Sequence, residues 1–208
     1  YQQSIGMRNT NNKAPIIVFI IFVLVFNIKA YGQNDIASRY IFNTITIDNG
    51  LPINFIDDIF KDSRGFLWVS TQGGGLSRYD GYEFVHFNVN STPISLKSNF
   101  IRKTYEDKFN RLWIISDMGV DVIDLKTLTK CDFPELAEFT QGISECLTSA
   151  IYNDSKGNIW IAFDERLSRI SFDGNGKIAN LITLPTKPQK SDYAFSIISE
   201  IGNEIWIG

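Results

Sequence analysis

The sequence predicts an all-β protein: a β-propeller of four-stranded antiparallel blades, incomplete, with about three and a half blades present. Three observations predict it. The four tryptophans, Trp68, Trp113, Trp160 and Trp206, stand 45, 47 and 46 residues apart. Around each lies one short pattern: an acid six residues before (Asp62, Asp107, Asp154, Glu200), Gly or Asn three before (Gly65, Asn110, Gly157, Asn203), and an aliphatic residue on either side. Between these points short apolar runs alternate with turn residues, and no stretch after Gln33 keeps a 3.6-residue apolar period. Four short strands in about 46 residues make the size of a propeller blade, whereas solenoid repeats are shorter or helical.

Residues 1–32 read as an export signal with upstream residues. A polar stretch from Met7 to Lys13 carries two positive charges, Ile16 to Phe26 is unbroken apolar sequence, and Ala30-Tyr31-Gly32 offers small residues at a cleavage position. The alternative is an uncleaved anchor, although the apolar run is short for a membrane span. Residues 33–49 are expected to add an N-terminal strand, Tyr40 to Ile47. The blades are then expected at 50–93, 94–140 and 141–187, with part of a fourth at 188–208.

Within each blade an apolar strand (Ile53 to Phe60 in the first) runs into a turn whose Gly65, Asn110 or Gly157 tolerates positive φ. A second strand carries the Trp: Phe66 to Thr71, Arg111 to Ser116, Asn158 to Phe163. Third strands are expected at Leu76 to Asp80, Val120 to Asp124 and Leu167 to Phe172. Fourth strands follow at Glu83 to Phe87, Thr129 to Phe133 and Lys177 to Ile182.

Composition excludes several functions. The chain has 208 residues, 20 Lys+Arg and 23 Asp+Glu, one His and two Cys. An acidic balance without a basic run argues against nucleic acid as partner. Removing Arg8, Lys13 and Lys29 with the signal leaves 17 basic against 23 acidic residues, a net charge of −6. One His and two Cys are a poor zinc ligand set, and no cofactor is implied. Export would place Cys131 and Cys146 where pairing is possible, though both also fit as small buried residues.

Each chemical motif has a structural counterpart. Gly73-Gly74-Gly75 lacks the Lys-Ser/Thr and helix of a phosphate loop and reads as a turn. Asp62, Asp107 and Asp154 each offer a lone carboxylate where a calcium loop needs several oxygens, and read as acceptors for turn amides. The tryptophans read as packing between blades rather than as sugar platforms. His86 has no nucleophile at motif spacing and reads as an outer-strand residue. No catalytic residue is assigned. A ligand site is expected in the loops at one end of the blades: Asn88 to Ser98, Pro134 to Glu145 and Leu184 to Asp192.

The segment Gly50 to Phe87, GLPINFIDDIFKDSRGFLWVSTQGGGLSRYDGYEFVHF, resembles the two-component regulator propeller repeat in its Gly-Leu start, D-x-x-G-x-L-W, Gly-rich turn and G-L-x-R-Y-D. The second copy departs at Asn110, Ile115-Ser116 and Met118-Gly119-Val120, and the third has Asp164-Glu165-Arg166 in place of the Gly-rich turn. The resemblance implies a periplasmic sensor module of a membrane-bound two-component receptor, commonly a hybrid histidine kinase, with the kinase absent from this chain. It also implies a homodimeric receptor and a small-molecule or oligosaccharide ligand. Two other classes stay open: an exported propeller glycoside hydrolase or lyase acting on polysaccharide, and a scaffold for protein contacts.

Overall fold

The computed structural model describes residues 43–139, 149–163, 166–185 and 198–208. The expected export signal lies outside them, as does Cys146. So does most of the expected N-terminal strand. Its described end is not a strand: residues 43–46 are irregular, and Ile47–Asn49 form one turn of 3-10 helix. Thr46 caps that turn, its Oγ1 accepting from the Asp48 amide while the Asn49 side chain accepts from the Thr46 amide. Satisfying these end groups locally competes with an extended ladder.

Three four-stranded antiparallel sheets follow, each a blade in chain order. Blade 1 comprises β1 (Ile56–Lys61), β2 (Leu67–Thr71), β3 (Leu76–Tyr79) and β4 (Phe84–Phe87). Blade 2 comprises β5 (Ile101–Glu106), β6 (Arg111–Ser116), β7 (Gly119–Asp124) and β8 (Thr129–Lys130). Blade 3 comprises β9 (Ser149–Asn153), β10 (Ile159–Phe163), β11 (Arg166–Phe172) and β12 (Ile178–Pro185). A two-stranded sheet, β13 (Ile198–Ile201) and β14 (Glu204–Ile207), continues the series. First strands neighbour one another, β1 beside β5, β5 beside β9 and β9 beside β13. They therefore form the inner edge, and the blades an incomplete propeller.

The cores lie between blades, because a strand alternates its side chains between two faces. On β6, Leu112 and Ile114 join Trp68, Leu76 and Ile101 in a core shared with blade 1. Trp113 and Ile115 of the same strand face the other way, into a core with Ile159, Ile161 and Ile170 of blade 3. A smaller core holds Ala150, Ala162, Leu167 and Ile198, with Trp160 packed against it.

The fourth strands depart from expectation in length. The strand expected from Thr129 to Phe133 stops at Lys130, and Glu135–Phe139 forms a short helix, α1. Pro134 has no amide hydrogen for a ladder and suits the start of a helix. Leu136 then fills the core between blades 2 and 3. In blade 3 the fourth strand instead runs on to Pro185. Among the described residues no helix is long and apolar enough to cross a membrane.

Candidate functional site

The three repeat aspartates anchor their blades. Asp62 Oδ1 accepts from the amides of Arg64 and Phe66, both at 3.0 Å, and its Oδ2 accepts from the Trp68 indole at 2.9 Å. Asp107 does the same with Phe109, Arg111 and Trp113, and Asp154 with Lys156, Asn158 and Trp160. The turns require a left-handed residue, met by Gly65 at φ 96°, Asn110 at 58° and Gly157 at 76°. Burial alone would raise the Asp62 and Asp154 pKa values. The indole bond to each, with the amide bonds and the Arg64 or Asn158 side chain, instead holds them below the ordinary carboxylate value. These carboxylates are fully engaged and have no coordination left for a cation.

Two arginines strap neighbouring blades together. Arg64 pairs with Asp62 and donates to the Leu125 carbonyl of blade 2. Arg111, buried, donates through Nε to Asp107 at 2.7 Å and through Nη1 to the Gly176 carbonyl of blade 3 at 2.6 Å. Its guanidinium carbon lies 4.7, 5.0 and 4.7 Å from the ring centroids of Phe109, Phe133 and Phe172.

Glu200 requires a correction. It is not the fourth turn acid. Trp68, Trp113, Trp160 and Trp206 pair with Phe60, Tyr105, Tyr152 and Ser199. The fourth hairpin turns on two residues, Gly202 and Asn203, so it is one residue shorter than the others. That places Glu200 at the position of Glu106, not Asp107. The chemistry agrees: Glu106 accepts from the Ser63 amide and hydroxyl at 2.6 and 2.7 Å, and Glu200 from those of Ser155 at 2.7 and 2.9 Å.

His86 has a neighbour that motif spacing did not show. Its Nδ1 lies 2.9 Å from Ser77 Oγ across the β3–β4 ladder. Ser77 is fully buried, so the pair is not presented to a substrate. Gly73-Gly74-Gly75 is the β2–β3 turn: the Gly73 and Gly75 amides both donate to the Asn99 carbonyl at 2.9 Å. Of the loops expected to hold a ligand, Asn88 to Ser98 folds inward and buries Ile94 and Leu96 in the core between blades 1 and 2. Pro134 to Glu145 and Leu184 to Asp192 are described only at their starts, as α1 and the end of β12.

The candidate site lies beside these turns, at the leading ends of β1 and β5. Phe55 and Phe100 stand at the same place in successive blades and are 68% and 46% exposed. Gln72 lies between them, its amide donating to the Phe55 carbonyl at 3.0 Å while it bridges to Phe100. One residue into each strand is a bulge, which re-aims a side chain. The extra residues are Asp57 and Arg102. Arg102 Nη1 bonds Asp57 Oδ2 at 3.1 Å, and the Gln72 side-chain amide donates to Asp57 Oδ1 at 2.6 Å. Met118 is 58% exposed in the β6–β7 turn, whose Asp117 amide donates to the Phe100 carbonyl at 3.3 Å. The Arg102 Nε and Asp117 Oδ1 atoms are buried without a protein partner. Two aromatic faces beside a fixed ion pair can hold a molecule that is apolar on its faces and polar at its edges. The sequence repeats Asn54-Phe55-Ile56 as Asn99-Phe100-Ile101, each Phe thirteen residues before its Trp, a signal of equivalent placement that does not report exposure. Among the described residues no three His, Cys, Asp or Glu side chains converge to hold a metal ion.

Comparisons with known proteins address the repeat and the fold. Residues 50–73 match the family model described as Two component regulator propeller, which covers the first part of the stretch Gly50 to Phe87 that resembles the repeat and ends before Gly75-Leu76-Ser77-Arg78-Tyr79-Asp80. No curated protein matches the sequence. A similar solved structure is the extracellular domain of a putative hybrid two component system from B. thetaiotaomicron, at 16% identity and TM-score 0.42, covering 79% of this chain and 34% of that one. The extracellular domain of a second such system from the same organism has 18% identity and TM-score 0.44, covering 76% of this chain and 27% of that one. A luciferin-regenerating enzyme has 16% identity and TM-score 0.46, covering 73% of this chain and 52% of that one. The chain thus spans about a third or less of the two receptor domains.

Proposed function

We propose that this chain is a ligand-sensing propeller module of a membrane-bound two-component sensor, acting on the periplasmic side of the inner membrane. The ligand is an extracellular oligosaccharide, bound at the rim formed by Phe55, Asp57, Gln72, Phe100 and Arg102. The observation that carries the reading is the exposure of two phenylalanines at equivalent positions of adjacent blades, beside a bulge-aimed Asp–Arg pair. A sugar ring offers C–H faces to aromatic rings and hydroxyls to a carboxylate, an amide and a guanidinium. The family match at residues 50–73 supports the sensor context. In that context the rest of the receptor, a hybrid histidine kinase acting as a homodimer, reads a ligand-dependent bias between arrangements of its propellers.

The test is oligosaccharide binding by the full chain on a glycan array, followed by titration of any hit against Phe55→Ala and Phe100→Ala. Each variant is expected to weaken binding roughly fivefold to tenfold, the range for losing one stacked ring. Unchanged affinity in both variants removes the rim from the reading, and turnover of a bound glycan makes the chain an enzyme instead.

A further inference from the structure

The outer strands end the three blades unequally. β4 has four residues and β8 two, while β12 has eight. β12 closes its sheet, and among the described residues no strand pairs with its outer edge. A free edge offers unpaired amides and carbonyls to any extended chain, and proteins commonly blunt it by brevity or by charge. β12 has neither safeguard: Ile178 to Pro185, IANLITLP, holds no charged residue.

Register fixes what that edge presents. The Asn180 carbonyl accepts from Ser171 Oγ of β11 at 3.3 Å, so the Asn180 backbone faces inward. Backbone groups alternate along an antiparallel strand. Those of Ile182 and Leu184 therefore also face β11, where their partners are Arg169 and Leu167. Leu181 and Thr183 are left with their N–H and C=O groups pointing out. The side chains of Ile182 and Leu184 share one face of the sheet and are 36% and 48% exposed.

We propose that β12 pairs antiparallel with β12 of a second copy of this chain, about a two-fold axis through Thr183. Two hydrogen bonds join the Thr183 backbones, and each Leu181 amide donates to the partner's Pro185 carbonyl, a position where the missing proline amide costs nothing. Directly opposite residues share a face, so Ile182 lies against the partner's Leu184 on both sides of the axis. Centring on Ile182 would set Asn180 against the partner's Leu184, and centring on Leu181 would set Asn180 against the partner's Ile182; only the Thr183 axis matches apolar with apolar. An uncharged strand meets its own copy without like-charge repulsion. Among the described residues each copy has one edge of this kind, so the assembly closes at two. The pairing rests on this edge alone and not on the rim.

Such a ladder buries less than the roughly 1,200 Å² of a stable interface, so a weak dimer is expected, with Kd between about 1 µM and 1 mM. Sedimentation equilibrium of the full chain tests it, with Ile182→Lys and Leu184→Glu as variants and thermal melts to check that both fold. Each variant alone is expected to weaken the dimer roughly tenfold or more, since a charge is set against an apolar partner. The decisive arm mixes the two variants. In the mixed dimer the introduced ammonium and carboxylate stand directly opposite while the second Ile182–Leu184 pair is kept, so association is expected to return to within about threefold of the wild type. The proposal is overturned if the wild type stays monomeric up to about 1 mM, if it grows past a dimer, if either folded variant dimerises as the wild type does, or if the mixture associates no better than the variants alone. Phe55→Ala is expected to leave the dimer unchanged, which separates this edge from the rim.

Discussion

At the scale of single residues the protein depends on carboxylates that hold several donors each. Asp154 takes two turn amides, the Asn158 side chain and the Trp160 indole. Asp62 takes two amides, Trp68 and Arg64. Both have folded pKa values lowered below 3.8 despite the opposing effect of burial. A group with a depressed folded pKa contributes stability above its unfolded value, near 3.9, and loses it as pH falls through the folded value. Thermal melts of the wild type are therefore expected to be level from pH 7 to about 5 and to fall below about 4. Asp154→Asn is expected to be less stable at neutral pH, since an amide group turned toward the indole opposes two donors, and to show a shallower acid slope. An acid slope equal to that of the wild type would show that Asp154 is not one of the groups responsible.

At the scale of elements, successive blades are joined where the turn of one meets the first strand of the next. Ser63 bonds Glu106 between blades 1 and 2, and Ser155 bonds Glu200 between blade 3 and β13. The junction of blades 2 and 3 has Lys108 and Asn153 at the corresponding places, and Lys108 Nζ reaches the Lys156 carbonyl at 3.4 Å instead. A double-mutant cycle on Ser63→Ala and Glu106→Ala is expected to give a coupling of about 0.5–1.5 kcal/mol by chemical denaturation, the scale of exposed charge-assisted bonds. A value near zero would mean that solvent screens the clamp entirely.

Most strands were legible in the sequence because one Trp per blade fixes the register and the turn residues punctuate it. The Asp–amide bonds were legible for the same reason. The arginine straps were not: Arg64 stands four residues before its Trp and Arg111 two before, and only folding brings both to the next blade's outer turn. The shift of Glu200 was hidden because an acid six residues before Trp206 satisfies the pattern while a one-residue deletion changes what that acid touches. The end of β8 and the start of α1 turn on Pro134 and on Leu136 finding a place in the core, a tertiary effect without a periodic signal. The rim was hidden because the exposure of Phe55 and Phe100 is set by tertiary packing, which the repetition of their positions does not report.

At the scale of the whole molecule, stability is distributed unequally because each core is shared by two blades. Blade 2 contributes to the two larger cores, and every residue of β6 is buried. The sheet of β13 and β14 contributes Ile198 to the smallest core, while Ile201 and Trp206 are 62% and 56% exposed. Local opening follows the number of buried contacts that must break. Amide exchange is therefore expected to be slowest in β6 and β7, intermediate in β2, β3 and β10, and fastest in β13 and β14. Equal protection across all four sheets would instead indicate a single cooperative unit. The expected gradient bears on the proposed sensor, since the rim residues Asp57 and Arg102 sit on β1 and β5, which flank the best-packed interface. A site mounted there is held in place before its ligand arrives and spends little of the binding free energy on ordering. Ligand addition is accordingly expected to slow exchange at Phe55, Gln72 and Phe100 while leaving β6 unchanged; a general slowing of β6 would mean instead that the ligand orders the blades themselves.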